Sequence, residues 1–311
     1  MEKLNFLVSL TTRDNDYQLE QEAAALEAGR RLGAGVQVIY ADNDPIKQSQ
    51  QLLEIIQAPQ DKRPNAIVFE PVGGTALPQV ARAANAAGIG WVILNRESDY
   101  LRELREKGKA PVFSISSDHV EIGRIQGQQM AALLPNGGTV IYIQGPSDNS
   151  AAKQRTQGMQ LAKPANVKLI LLKGQWTEDS SHRAVGSWMR LSTSQKLPID
   201  AVVAQNDAMA LGARNAFEEH ADALTREKWL SVPFTGCDGL PKTGQELVRK
   251  GVLAATVYVP PNTTLALEML VSAIQKKSSP AELALTVPSS VPRIEELAVK
   301  FAEKNRVLAT R

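Results

Sequence analysis

Wherever a short apolar run of this sequence ends, side chains able to hydrogen-bond or stack on a small polar molecule follow. After LNFLVSL come Arg13, Asp14, Asn15 and Tyr17; after the run at 65–69 comes Glu70; after 90–94, Asn95 and Arg96; after 139–144, GPSDNSAAKQR, ending in Arg155. Trp176 follows the run at 167–172, Asn206 and Asp207 the run at 200–205, and Asp238 and Gly239 the run at 231–236. Neighbouring hydroxyls are donors and acceptors at once, so a carboxylate or amide oxygen can take one proton while a guanidinium or amide donates to the next oxygen. The apolar face of a sugar ring needs a flat partner, which Trp176 and Tyr17 can supply. Taken singly, Asp14, Asn15, Asn206, Asp207 and Asp238 read first as helix caps, and Trp176 reads equally well as core. The recurrence of such groups at one kind of position is what points to a binding edge.

The elements that must hold these groups are legible in the hydrophobic pattern. Runs rich in Val and Ile at 4–10, 36–41, 65–70, 90–94, 112–116, 139–144, 167–172, 200–205, 231–236 and 253–259 alternate with helical segments. Helix 16–32 carries Leu19, Ala23, Leu26 and Arg30 at helical spacing, and helix 207–220 an apolar face of Met209, Ala213 and Phe217. Strand–helix alternation predicts an α/β fold with parallel sheets, whose ligands bind beyond the carboxyl ends of the strands. Two successive runs of about four strand–helix units, before and after residue 115, predict two doubly wound lobes that resemble each other. The charged stretch 97–111, ESDYLRELREKGKAP, is expected to be an exposed excursion with a solvated helix face, and 292–306 a terminal amphipathic helix packed on a lobe.

Composition narrows the function classes. A chain of 311 residues with 43% hydrophobic and 22% charged residues is an ordinary globular protein long enough for two domains. Its formal net charge of +2, from 35 basic and 33 acidic residues without a basic block, argues against nucleic acid as a partner. Cys237, the single cysteine, excludes an internal disulfide and any multi-cysteine metal site. His119, His182 and His220 share no metal-ligand spacing, no phosphate-binding glycine motif follows a strand, and GGTALP after Glu70 lacks the required spacing. Nothing marks a base beside Cys237, which reads as a small packing residue. No cofactor and no catalytic group are therefore expected. The opening MEKLNFLVSL reads as the first strand rather than a secretory leader.

Four segments in order carry a family likeness: LNRE at 94–97 followed by SSDH at 116–119, QGPSDNSAAKQRTQG at 144–158, AVVAQNDAMALGA at 201–213, and GCDG at 236–239 followed by GVLAATV at 251–257. Over about residues 4–290 the sequence resembles periplasmic sugar-binding proteins of the ribose-binding type, whose fold is shared with the ligand domains of LacI-type repressors. The resemblance implies two lobes, 1–116 with 260–287 and 117–259 with 288–311, joined by a three-stranded hinge near 115–118, 258–261 and 285–290, with a ligand cleft between them that closes by hinge rotation. It also implies ligand contacts at Asn15, Tyr17, Gln18, Asn95, Arg96, Arg155, Trp176, Asn206 and Asp238, an ABC-type permease as partner, a monomeric state and a periplasmic location, although the absence of a leader in this stretch leaves a cytoplasmic one open. Ribose-type members have Asp-Arg where this chain has Asn95-Arg96, and Asn where it has Glu70; a Gln on the last hinge strand is replaced around Val259, beside Tyr258. Glu70 joins the candidate contacts, with the expectation that it faces and orients Arg96. The ligand is expected to be a neutral sugar or polyol, with a sugar acid as the alternative because of Arg13, Arg96 and Arg155. The closest rival function is a LacI-type ligand sensor lacking its DNA-binding module, since the first strand starts at residue 4 and leaves no room ahead of it for a helix-turn-helix.

Overall fold

The computed structural model describes residues 3–73, 76–96, 98–108, 110–192, 194, 197–220 and 222–309; Met1, Glu2, Gly74, Thr75, Glu97 and Lys109, which fall within segments quoted above, lie outside the described residues. Strands and helices, numbered in chain order, form an α/β fold with two parallel sheets in two compact units, Met1–Ser117 with Pro260–Thr286, and Asp118–Val259 with Val287–Arg311.

The first unit is built on β1 (Asn5–Leu10), β2 (Gly35–Tyr40), β3 (Ala66–Phe69), β4 (Gly90–Leu94), β5 (Val112–Ser117) and the late strand β11 (Leu283–Thr286). They form one sheet in the order β11-β5-β4-β3-β1-β2, every pair parallel. Period-two alternation sends Phe6, Val8, Leu10, Val92 and Leu94 to one face, where α1 (Asp16–Leu32) and α11 (Asn262–Lys276) cover them. Leu7, Ile67, Phe69, Trp91 and Ile93 go to the other, under α2 (Pro45–Gln57), α3 (Pro78–Ala86) and α4 (Tyr100–Lys107). Burial on both faces is why these strands read as continuous apolar runs.

The second unit holds a parallel sheet in the order β7-β6-β8-β9, made of β6 (Gly138–Gln144), β7 (Val167–Lys173), β8 (Ala201–Ala204) and β9 (Phe234–Thr235). A separate antiparallel pair joins β10 (Thr256–Tyr258) to β12 (Ser289–Val291). One face packs Ile141, Ile143, Val202 and Ala204 against α7 (Glu178–Met189), α8 (Asp207–Glu218), α9 (Ala223–Ser231) and α10 (Gly244–Arg249). The other packs Val140, Tyr142 and Val203 against Met130 of α5 (His119–Leu133) and Met159 of α6 (Ser150–Ala162).

Several expectations need correcting. The run at 231–236 shrinks to the two residues of β9, because α9 carries the chain through Ser231 with Trp229 buried and Pro233 follows. The face that α1 buries is Gln18, Gln21, Ala25 and Ala28, while Leu19 and Leu26 are exposed. The stretch 97–111 is not merely a solvated excursion: α4 buries Leu101 and Leu104, and Glu103 pairs with Arg82 at 3.1 Å and Lys107 at 3.0 Å on the outer side. The packed terminal helix expected over 292–306 needs no correction: α12 (Ile294–Ala309) inserts Leu297 beside Leu133 and Ala255.

Candidate functional site

Because each sheet is parallel, the polar residues after its strands collect at one edge. In the first unit, Asn15 caps α1, its side chain accepting from the Tyr17 and Gln18 amides. The cap fixes Gln18, whose amide nitrogen donates to Glu70 Oε2 at 2.8 Å while its oxygen accepts from the Thr11 amide at 3.0 Å. Tyr17 reaches the Pro260 carbonyl through its hydroxyl at 3.3 Å. Asn95 Oδ1 accepts from Asn262 Nδ2 at 2.6 Å, and Asn262 Oδ1 from Thr286 at 2.8 Å. Arg96 Nη1 donates to the Asn95 carbonyl at 2.7 Å. The expected Glu70–Arg96 pair is not formed: the carboxylate is engaged by Gln18, and no ion pair within 4.0 Å joins the two among the described residues.

In the second unit, Arg155 rises from α6, buried, and donates to the Gln205 carbonyl. Its Nη1 lies 4.0 Å from Asp238 Oδ1, and its guanidinium carbon 5.4 Å from the centre of the Trp176 ring, a cation–π arrangement. Asn206 caps α8 through the Met209 amide and donates from Nδ2 to the Trp176 carbonyl at 2.9 Å, so one residue starts the helix and tethers the aromatic. Gly145 makes room for the ring, since a Cβ there would lie 2.2 Å from it. Asn15 and Asn206, both expected as ligand contacts, are thus also the caps of their helices. Asp207 and Asp238 are not caps: Asp207 is the first residue of α8, and Asp238 lies in the turn after β9.

Backbone conformation marks the same places. Asn95 (φ 56°), Trp176 (φ 64°) and Asp238 (φ 95°) all occupy the left-handed region that non-glycine residues rarely adopt, a strain that concentrates where side chains must be aimed. Burial, and then the charge of Asp238, push the Asp207 carboxyl up to about 8 against its hydrogen bonds with Thr256 and Gly239. Burial likewise pushes the Cys237 thiol up, which keeps it an inert packing residue.

Some supporting residues escaped the sequence reading. Gln205 donates to Tyr142 and Thr156 and accepts from the Gly145 amide at 2.8 Å, and Gln48 holds the Glu70 carbonyl and the Val72 amide. Asn262 orients Asn95 from 167 residues away. The one local signal was a polar residue adjoining an apolar run, as in Gln205 before Asn206; pairing across such separations has none. Among the described residues no group of three His, Cys, Asp or Glu side chains could hold a metal ion.

With this geometry in view, the likeness to known proteins is decisive: residues 6–278 match the model of the periplasmic binding protein domain. The chain belongs to the periplasmic binding protein family. This is a family of substrate-binding transport proteins, not enzymes, and its likeness to LacI-type domains is a relation of fold. The ribose import binding protein of Escherichia coli (strain K12) is 29% identical over 257 residues, which cover 83% of this chain and 79% of that protein. A xylitol-binding protein of Mycolicibacterium smegmatis is 30% identical over 220 residues, covering 70% of this chain and 56% of that one. In fold, this periplasmic binding protein resembles an ABC transporter solute-binding protein from Actinobacillus succinogenes with bound D-allose (TM-score 0.79, 21% identity, 95% of this chain and 99% of that chain).

Proposed function

We propose that this chain binds a neutral sugar or polyol for uptake by an ABC-type permease in the periplasm, and that the polar strand ends of its two units are its ligand-binding surfaces, with Asn15, Tyr17, Gln18, Glu70, Asn95 and Arg96 on one and Arg155, Trp176, Asn206 and Asp238 on the other. The observation that carries the reading is the cluster in the second unit: a guanidinium, a carboxylate 4.0 Å from it and an indole ring 5.4 Å away. That is a donor, an acceptor and a flat apolar face within the span of one sugar ring. The names of relatives that bind ribose and xylitol support the same class. The first unit adds open groups of both kinds: among the described residues, one Glu70 oxygen and the amide nitrogens of Asn15 and Asn95 have no partner within the protein.

The arginines do not favour an anion. Arg13 lies over the Tyr40 ring at 4.7 Å, Arg96 is folded onto the Asn95 carbonyl, and Arg155 faces Asp238. A thermal-shift screen against pentoses, hexoses, polyols, sugar acids and nucleosides tests the reading, with Asp238→Ala as control. A neutral sugar or polyol at 100 times its Kd should stabilise the protein by about 2.7 kcal/mol, and the shift should vanish in the control. Hits confined to sugar acids would replace the neutral ligand by an anionic one, and silence across the panel would overturn the carbohydrate reading.

A further inference from the structure

Beneath the ligand surface of the second unit, the Asp207 side chain does work that no ligand contact requires. Its carboxyl group is buried with both oxygens engaged, Oδ2 with the Gly239 amide at 2.8 Å and Oδ1 with the Thr256 hydroxyl at 2.6 Å. Its own amide donates to the Cys237 carbonyl at 2.6 Å. Two glycines make the socket, because a Cβ at Gly236 or Gly244 would lie 2.1 Å from a carboxylate oxygen. Asp207 therefore grips the residue before and the residue after Asp238. A third bond, from the Val259 amide to the Asp238 carbonyl at 3.0 Å, closes the clamp. The residue held between these grips has φ 95°, a conformation of order 1–3 kcal/mol above the ordinary regions, which persists only when its surroundings impose it.

We infer that Asp207 is the positioning residue of the ligand site: by holding Cys237 and Gly239 it imposes the left-handed backbone that points the Asp238 carboxylate toward Arg155. The inference rests on the binding reading above and adds to it a residue that never touches ligand. An Asn at 207 keeps an oxygen for the Gly239 amide and can turn an N–H toward Thr256 Oγ1. An Ala keeps neither, and leaves a buried amide and hydroxyl unpaired.

Amide hydrogen exchange at Gly239, together with calorimetric titration of D-ribose, xylitol and myo-inositol, tests this on the intact chain. In Asp207→Ala the Gly239 amide should exchange at least 100-fold faster than in the native protein, and whichever probe binds should lose at least 30-fold in affinity. Asp207→Asn should stay within about threefold of the native protein in both respects. The cycle of Asp207→Ala with Asp238→Ala separates positioning from general destabilisation: if Asp207 acts through Asp238, the losses in affinity should not add. Native-like Gly239 protection in Asp207→Ala, additive losses of affinity, or an Asn variant as impaired as the Ala variant would each overturn the inference. If Asp207→Ala does not fold, Thr256→Val, which removes one carboxylate partner, should still speed Gly239 exchange several-fold, and unchanged exchange counts against the clamp. If none of the three sugars binds the native protein, the binding reading fails, while the exchange rates still decide whether the clamp exists.

Discussion

At the residue scale, the buried acid of the second unit has a measurable signature in pH. The Asp207 carboxyl stands at about 8 in the folded chain against an ordinary 3.8, so between those values the folded state holds a proton the unfolded state has released. Stability from this group is complete below about pH 4 and is lost as the pH rises toward 8, with a slope of up to about 1.4 kcal/mol per pH unit. Melting curves from pH 5 to 8 should show the loss, and Asp207→Asn should flatten it. Gly145→Ala is expected to displace the Trp176 ring, reducing affinity at least tenfold with little change in Tm, measured by titration and melting side by side. The sequence displayed Trp176, Asn206 and Asp238 because each follows an apolar run. It displayed neither Gly145 as the seat of an indole nor Arg96 turned onto its own neighbour, since both depend on the path of the backbone through a turn.

At the element scale, the α5–α6 contact carries a further prediction. A Cβ at Gly123 would lie 1.9 Å from the Arg155 carbonyl, and one at Gly158 1.8 Å from the Val120 carbonyl, so the helices touch backbone to backbone. Gly158→Ala should cost roughly 1–3 kcal/mol in a denaturant titration by forcing them apart, and because α6 bears Arg155 it should also weaken ligand binding. Such a seam is invisible from one strand of sequence, where the same glycines read as helix weakeners. The doubly buried strands were the easiest elements to find, because a run such as AIVF at 66–69 has no polar face to confuse it. Strand β11 was not among the runs read as strands, and the family likeness implied only a hinge strand near 285–290: β11 lies at the sheet edge with Leu283 and Leu285 exposed, which reverses the usual inward apolar pattern. The run at 231–236 misled for the opposite reason, as Trp229 and Leu230 at the end of a helix are followed closely by Val232 and Phe234, with only Ser231 and Pro233 between, on the way into a two-residue strand.

At the scale of the whole molecule, the first unit is assembled from two stretches of chain. Helix α11 supplies Ala266, Leu267, Leu270 and Val271 to its core, and β11 pairs with β5 in register Leu283↔Ser114 to Thr286↔Ser117. A chain ending at Val259 should therefore show no cooperative melt of the first unit, a loss that calorimetry against the full chain would detect; a native-like transition there would contradict the interleaved core. Order of synthesis gives the same arrangement a different meaning. The strands of the first unit leave the ribosome early, yet the helix that seals one sheet face and the strand that caps its edge come last. At translation rates of about 5–20 residues per second the wait is on the order of 10–30 s. Throughout that interval Val92, Leu94, Phe113 and Ile115 lack their cover from α11, so the newborn chain presents an unfinished apolar sheet face to whatever escorts it.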